Sequence, residues 1–215
     1  IIGDTIVDTY TKTNFIGGQT KTPTFSVLYD KETNFVGGAA IVALHMKGAG
    51  AKVKFTSLIS NDKNGKFVKK ELKKNNIKCN FFEENNRPTT NKNTFITSSY
   101  RLLKVDTLSN LPIGEDVLSK IIDRVKKEKT DITVFSDFRH GIFNPGSINK
   151  LINAIPKKNL KAADSQVASR WGNITQFKKF DLITPNEREA RFSLADQDST
   201  VGKLAGLLLE RTKYK

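Results

Sequence analysis

Residues 132–190, ITVFSDFRHGIFNPGSINKLINAIPKKNLKAADSQVASRWGNITQFKKFDLITPNEREA, decide the fold class. A branched and aromatic run, ITVF at 132–135, reads as a strand, and apolar residues at helical spacing follow over 146–154. A strand at 160–163, another at 180–183 (FDLI) and a helix near 187–194 continue the alternation, with a further helix at 200–211. Working outward to the N-terminal side, a short strand precedes Asp4, a helix runs from about Ala39 to Lys47, a strand covers 53–59, and helices cover 65–75 and 115–128. Strand and helix in alternation predict an α/β fold: a mostly parallel sheet with helices on both faces.

In such sheets ligands lie outside the carboxyl ends of the strands, so the polar residue that closes each strand carries the chemistry. Here ITVF leads to Ser136-Asp137, Ala162-Ala163 to Asp164, and Leu182-Ile183 to Thr184-Pro185-Asn186. Any one of these is equally a turn or a helix cap; three at one rim make a site an even alternative. Two segments stand apart from the alternation. Residues 22–29 (TPTFSVLY) and 94–105 (TFITSSYRLLKV) are rich in Thr, aromatic and branched residues with no helix between partners, and predict a small β appendage with strands from about 12–30 and 94–106.

Charge invites a different function and does not sustain it. The chain of 215 residues carries 36 basic and 22 acidic groups, a net +14. Its densest basic run, Lys66, Lys69, Lys70, Lys73 and Lys74, falls on one side of a helix whose other side holds Phe67, Val68 and Leu72. That is the pattern of a solvated helix face, so nucleic acid is not the expected partner. A lone Cys79 makes no internal disulfide, and no signal peptide or membrane-length apolar run is present, which places the expected home in the cytoplasm with no membrane partner. The chain opens on Ile1-Ile2-Gly3 without Met, as a trimmed sequence would. Two histidines, His45 in the first helix and His140 in a turn, are too few for a metal cluster or a triad and read as structural. NFIGG and NFVGG, twenty residues apart, are too short for a repeat; the first reads as a β turn.

Gly37-Gly38-Ala39-Ala40 opens an apolar helix, which suits either a tight packing turn or a ligand drawn close to unpaired backbone N–H groups. Taken with Gly3-Asp4 and Asp8 before it, Asn61-Asp62 and Gly65 after it, and then SDFRHG (136–141), DSQVASRW (164–171) and TPNEREA (184–190), it resembles the ribokinase-like (PfkB) carbohydrate kinases over nearly the whole chain. The resemblance implies a ribokinase-like α/β domain over 1–215, partial, with a small β lid. It implies phosphoryl transfer from ATP, with Mg2+, to a hydroxyl of a sugar or sugar phosphate. Asp8, Gly37 and Gly38 match the family's sugar contacts. Asn186 and Glu189 match its N-x-x-E motif on the metal and phosphate side, with Glu189 the metal residue and Asp164 beside the nucleotide. The same Asn186–Glu189 spacing is also a helix capping box. A homodimer through the lid is the implied assembly.

GDTIVDTY (3–10) and TNKNTFITSSYRLLKVD (90–106) look like the heptose-phosphate kinase subgroup, whereas Arg170-Trp171 looks like the fructokinase branch, and the family's usual GGAAN ends here in Ile41. The family's Gly-Ala-Gly-Asp motif, source of its anion hole and catalytic base, is absent; Gly48-Ala49-Gly50-Ala51 lacks the Asp and closes a helix. The base is therefore expected beyond Lys215, and residues 1–215 alone are expected to be inactive. The alternative is a non-catalytic protein derived from the kinase fold that binds sugar or nucleic acid.

Overall fold

The computed structural model describes residues 1–17, 24–167 and 170–212. The first residues of the predicted 22–29 strand lie outside these, as do Ala168 and Ser169 of DSQVASRW. A six-stranded sheet is built from β1 (Ile2–Gly3), β4 (Lys54–Leu58), β5 (Lys78–Phe82), β8 (Ile132–Asp137), β9 (Leu160–Ser165) and β10 (Leu182–Ile183). Its order is β10-β9-β8-β1-β4-β5 and every pairing is parallel. From β1 the chain builds outward on one side through β4 and β5 and on the other through β8, β9 and β10. The order therefore reverses at β1, and the carboxyl end of β1 is the place such a sheet reserves for ligands.

Among the described residues six α-helices pack on the sheet: α1 (Gly38–Gly48), α2 (Lys63–Lys74), α3 (Glu115–Lys127), α4 (Pro145–Ala154), α5 (Glu187–Leu194) and α6 (Val201–Thr212). Each buries a stripe. In α3 it is Val117, Leu118, Ile121 and Val125; in α2 it is Gly65, Val68 and Leu72, with all five lysines of the basic run exposed. α2 starts two residues earlier than its apolar pattern predicts because the Asp62 carboxylate accepts the Gly65 N–H at 2.7 Å and caps it. The buried side chains form two clusters. One, under α3 to α6, is centred on Phe135, Phe143, Phe177 and Phe180, with ring centroids 5.1 to 6.2 Å apart. The other joins α1 and α2 to Val7, Val36 and Phe55.

A second sheet has the order β3-β2-β6-β7, with β2 (Thr5–Gly17), β3 (Ser26–Gly37), β6 (Thr90–Thr97) and β7 (Tyr100–Thr107). β2 pairs antiparallel with β3 and parallel with β6. Polar side chains bridge its strands: Thr9 donates to Asn34 Oδ1 at 2.6 Å, Thr11 to Asn93 Oδ1 at 2.8 Å and Thr13 to the Ile96 carbonyl at 3.0 Å. Two expectations are corrected. Asn14 to Gly17 of the first NFIGG lie in β2 and form no turn, and β5, which the sequence reading passed over, forms the sheet edge.

Candidate functional site

Small residues let the carboxyl ends of β1 and β8 meet α1. A Cβ on Gly3 would run into the Ser136 carbonyl and the Ala39 methyl, and Gly38 sits at φ 58°, where its Cβ would strike the Asp4 carbonyl. Gly38 and Gly37 turn the chain into α1, whose Ala39 N–H donates back to the Asp4 carbonyl at 2.9 Å. Against this turn lies Asp8. A Cβ on Gly37 would collide with Asp8 Oδ2, so glycine is what allows the carboxylate to sit at the start of the helix. Asp8 is half-buried and is paired in register with Phe35 on β3 and Lys92 on β6; Lys92 in turn pairs with Asp106 on β7. Burial pushes its carboxyl above the ordinary value, while Lys92 and Lys104 pull it back. The structure thus brings Asp8, Gly37 and Gly38 together.

Asp4, which the sequence analysis quotes in Gly3-Asp4 without a role, is the hub of the loop after β8. Its carboxylate is buried and accepts N–H groups from Phe138 at 3.0 Å, His140 at 3.2 Å and Ile142 at 3.4 Å. Beneath it Asp137, fully buried, accepts from Arg139 Nε at 2.8 Å and Ser165 Oγ at 2.7 Å. Burial and then the nearby Asp137 raise Asp4 to about 6, against three N–H bonds that favour its charge. A raised carboxyl pKa means that the folded chain holds a proton the unfolded chain has released. This contribution to stability is present below about pH 4 and is lost as pH rises through about 6. NMR titration of the Asp4 side-chain carbon is expected to give a midpoint near 6; a midpoint at or below that of an exposed aspartate contradicts the burial.

On the other side of the sheet, Asp164 ends β9 half-buried, accepting from Gln166 Nε2 at 3.0 Å and Thr184 Oγ1 at 3.2 Å. Asn186 and Glu189 form the reciprocal capping box of α5: Asn186 Oδ1 accepts the Glu189 N–H and Glu189 Oε2 accepts the Asn186 N–H, both at 2.9 Å. Glu189 is buried, and burial followed by the charge of Asp164 raises its pKa. Asp164 and Glu189 therefore lie near enough for the charge of one to act on the other. Among the described residues no group of three or more His, Cys, Asp or Glu is placed to hold a metal ion. Two carboxylates do suit Mg2+, which binds through one or two of them and completes its shell with water and phosphate oxygens. Sequence reasoning gave no role to Lys92 or Arg139, although each lies in a quoted motif, TNKNTFITSSYRLLKVD and SDFRHG, and it quoted Asp4 without its part in holding the 138–142 loop.

A parallel α/β sheet whose strand order reverses at β1, with a glycine turn seated against a carboxylate, defines the class of doubly wound α/β folds that take ligands at that reversal. The particular family is plain: residues 1–211 match the family described as pfkB family carbohydrate kinase, and the chain belongs to it. Among its relatives, Bifunctional protein HldE of Sulfurimonas denitrificans is 27% identical over 193 residues, covering 88% of this chain and 40% of that protein. Bifunctional protein HldE of Campylobacter jejuni strain RM1221 is 29% identical over 194 residues, with the same coverages of 88% and 40%. The chain thus spans about two-fifths of the length of these curated relatives. The fold is that of phosphofructokinase-2 from Escherichia coli, with a TM-score of 0.76 at 17% identity over all of this chain and 71% of that one. A sugar kinase described as putative from Clostridium perfringens gives 0.67 at 16% identity, over 98% of this chain and 66% of that one. Among the described residues no helix is long and apolar enough to cross a membrane.

Proposed function

We propose that this chain is the sugar-binding part of a kinase that moves a phosphoryl group from ATP to a hydroxyl of a sugar or sugar phosphate. The observation that carries the reading is the Asp8 carboxylate seated against the Gly37-Gly38 turn. An ionised carboxylate accepts hydrogen bonds from two neighbouring hydroxyls at once, and the adjacent helix start offers backbone N–H groups. Lys92 and Lys104 oppose the rise that burial causes in the Asp8 carboxyl. Asp164, Asn186 and Glu189 serve the nucleotide side, with Glu189 and Asp164 holding Mg2+ directly or through water. Bound there, Mg2+ would supply charge neutralisation on the transferring phosphate, and the protein's part is positioning and exclusion of water. The acceptor for the hydroxyl proton is proposed to be the Asp of a Gly-Ala-Gly-Asp segment that residues 1–215 do not contain. The neighbour phosphofructokinase-2 from Escherichia coli, solved with fructose-6-phosphate, makes a phosphorylated sugar one class of substrate to assay.

The second sheet is read as the lid over the sugar. It leaves Phe15, Tyr29, Tyr100, Leu103 and Val105 exposed, and a second copy of this chain is the proposed partner for that apolar surface. Light scattering of the purified chain is expected to give twice the monomer mass, and a strictly monomeric chain at high concentration sets this assembly aside. For the kinase reading itself, calorimetry on residues 1–215 is expected to register sugar binding while an ADP-release assay registers no turnover. Turnover would place the base within these residues. An absence of binding across hexoses, pentoses and their phosphates would remove the proposed sugar site.

A further inference from the structure

His140, a lone histidine that the kinase chemistry above does not use, is placed in an unusual way. The residue is 5% exposed. Its backbone is fixed on both sides: its N–H donates to Asp4 Oδ2 at 3.2 Å, and its carbonyl accepts from Arg87 Nη1 at 3.2 Å. Its ring Nδ1 lies 3.0 Å from Asn110 Oδ1. An amide oxygen only accepts, so Nδ1 carries the proton and Nε2 is left with a bare lone pair. That Nε2 is buried with no hydrogen-bond partner among the described residues. Protonation gives no escape, because burial, and then the field of Lys92, hold the imidazole down to about 4.

An unpartnered buried acceptor costs about as much as a lost hydrogen bond and calls for an account. His140 lines a cavity of about 20 Å3 between the end of β1, the end of β4 and the base of the second sheet, together with Asp4, Thr5, Ser60, Arg87 and Thr90. That volume admits one water-sized group. Its charged lining is already committed. Arg87 spends its N–H groups on Glu84 and on the carbonyls of Ser109, Leu111, Pro112 and His140, and Asp4 spends its oxygens on three N–H groups. None of these committed groups donates to Nε2.

We propose that His140 is a specificity-determining residue: its Nε2 accepts a hydrogen bond from one alcohol hydroxyl of the sugar, in the cavity it lines with Asp4 and Thr5 at the start of the strand that carries Asp8. Asp4 and Asn110 are positioning residues for it, the first through the backbone and the second by fixing the tautomer. The inference rests on the sugar-kinase reading. It adds a contact to a hydroxyl that a neutral acceptor reads by its presence or absence.

The test uses ribose, fructose and fructose 6-phosphate as probes, with the monodeoxy analogues of whichever binds. In 15N spectra at neutral pH, His140 is expected as the Nδ1–H tautomer, and its Nε2 resonance is expected to move upfield when the sugar is added. His140→Phe, which keeps the ring volume, is expected to weaken the parent sugar about ten- to a hundredfold while binding one deoxy analogue as well as the parent; His140→Gln restores part of the loss. Should His140→Phe fail to fold, the 15N spectrum of the unaltered chain decides alone. The Nε2–H tautomer, or an unmoved resonance with a sugar shown to bind by calorimetry, overturns the assignment and leaves the kinase reading standing. A panel in which no sugar binds overturns both.

Discussion

Asp8→Asn lowers the affinity for sugar about 10- to 100-fold and leaves nucleotide affinity unchanged. The substitution keeps the shape that fits against Gly37 but leaves one oxygen to accept hydrogen bonds where there were two, and it removes the charge. Hydrogen bonds to a charged acceptor contribute roughly 1.5–3 kcal/mol, which is the stated fold-change. Lys92 and Lys104, whose charges act on Asp8, keep Asp106 as an opposite charge near Lys92. Calorimetric titration with sugar, and separately with ATP, reads both parts of the prediction. Unchanged sugar affinity takes Asp8 out of the site, and an equal loss for ATP moves it to the phosphate side.

Phe135→Ala is expected to destabilise the fold by about 3–5 kcal/mol, among the largest effects of a single truncation. Phe135 is fully buried in the middle of β8, with its ring 5.1 Å from Phe143, 5.6 Å from Phe180 and 6.2 Å from Phe177. Those partners belong to the loop after β8 and to the segment between β9 and β10. No backbone shift collapses around the lost ring without moving the strand that carries Ser136 and Asp137. Urea unfolding followed by circular dichroism reads the change, and a loss below about 1 kcal/mol would show that the four-ring cluster does not hold this side of the sheet.

The alternation of strand and helix was legible because each buried strand is a short apolar run that ends in a polar residue, and each helix keeps one apolar stripe. β5 escaped because KCNFF is an edge strand with half-buried residues, so it has neither a continuous apolar run nor a clean alternation. The second sheet was legible as strands but not in extent. Its middle is held by Thr9–Asn34 and Thr11–Asn93 hydrogen bonds, and such pairs give no hydrophobic period to follow. Within the site, the glycine pair and Asp8 showed in the sequence because they lie in short motifs. Asp4 binding the 138–142 loop did not, because the partners are 134 to 138 residues apart and nothing local in either segment marks the other. A lone histidine likewise reads as structural until its one committed nitrogen and its one uncommitted nitrogen are seen. The metal side stands between the two. N-x-x-E is visible in the sequence, but a capping box and a metal site share that spacing, and the structure shows the capping bonds made.

The central claim is that the Asp8 turn and the Asp164–Glu189 pair are the two halves of a sugar kinase site. The most direct measurement is ADP release by the complete gene product against a panel of hexoses, pentoses and sugar phosphates, with and without Mg2+. The account predicts release that requires both one of these sugars and Mg2+, that falls by at least 100-fold in Glu189→Gln, and that shows a raised sugar KM in Asp8→Asn. A complete gene product that binds a sugar yet releases no ADP with any of them, or whose release is indifferent to both substitutions, contradicts it.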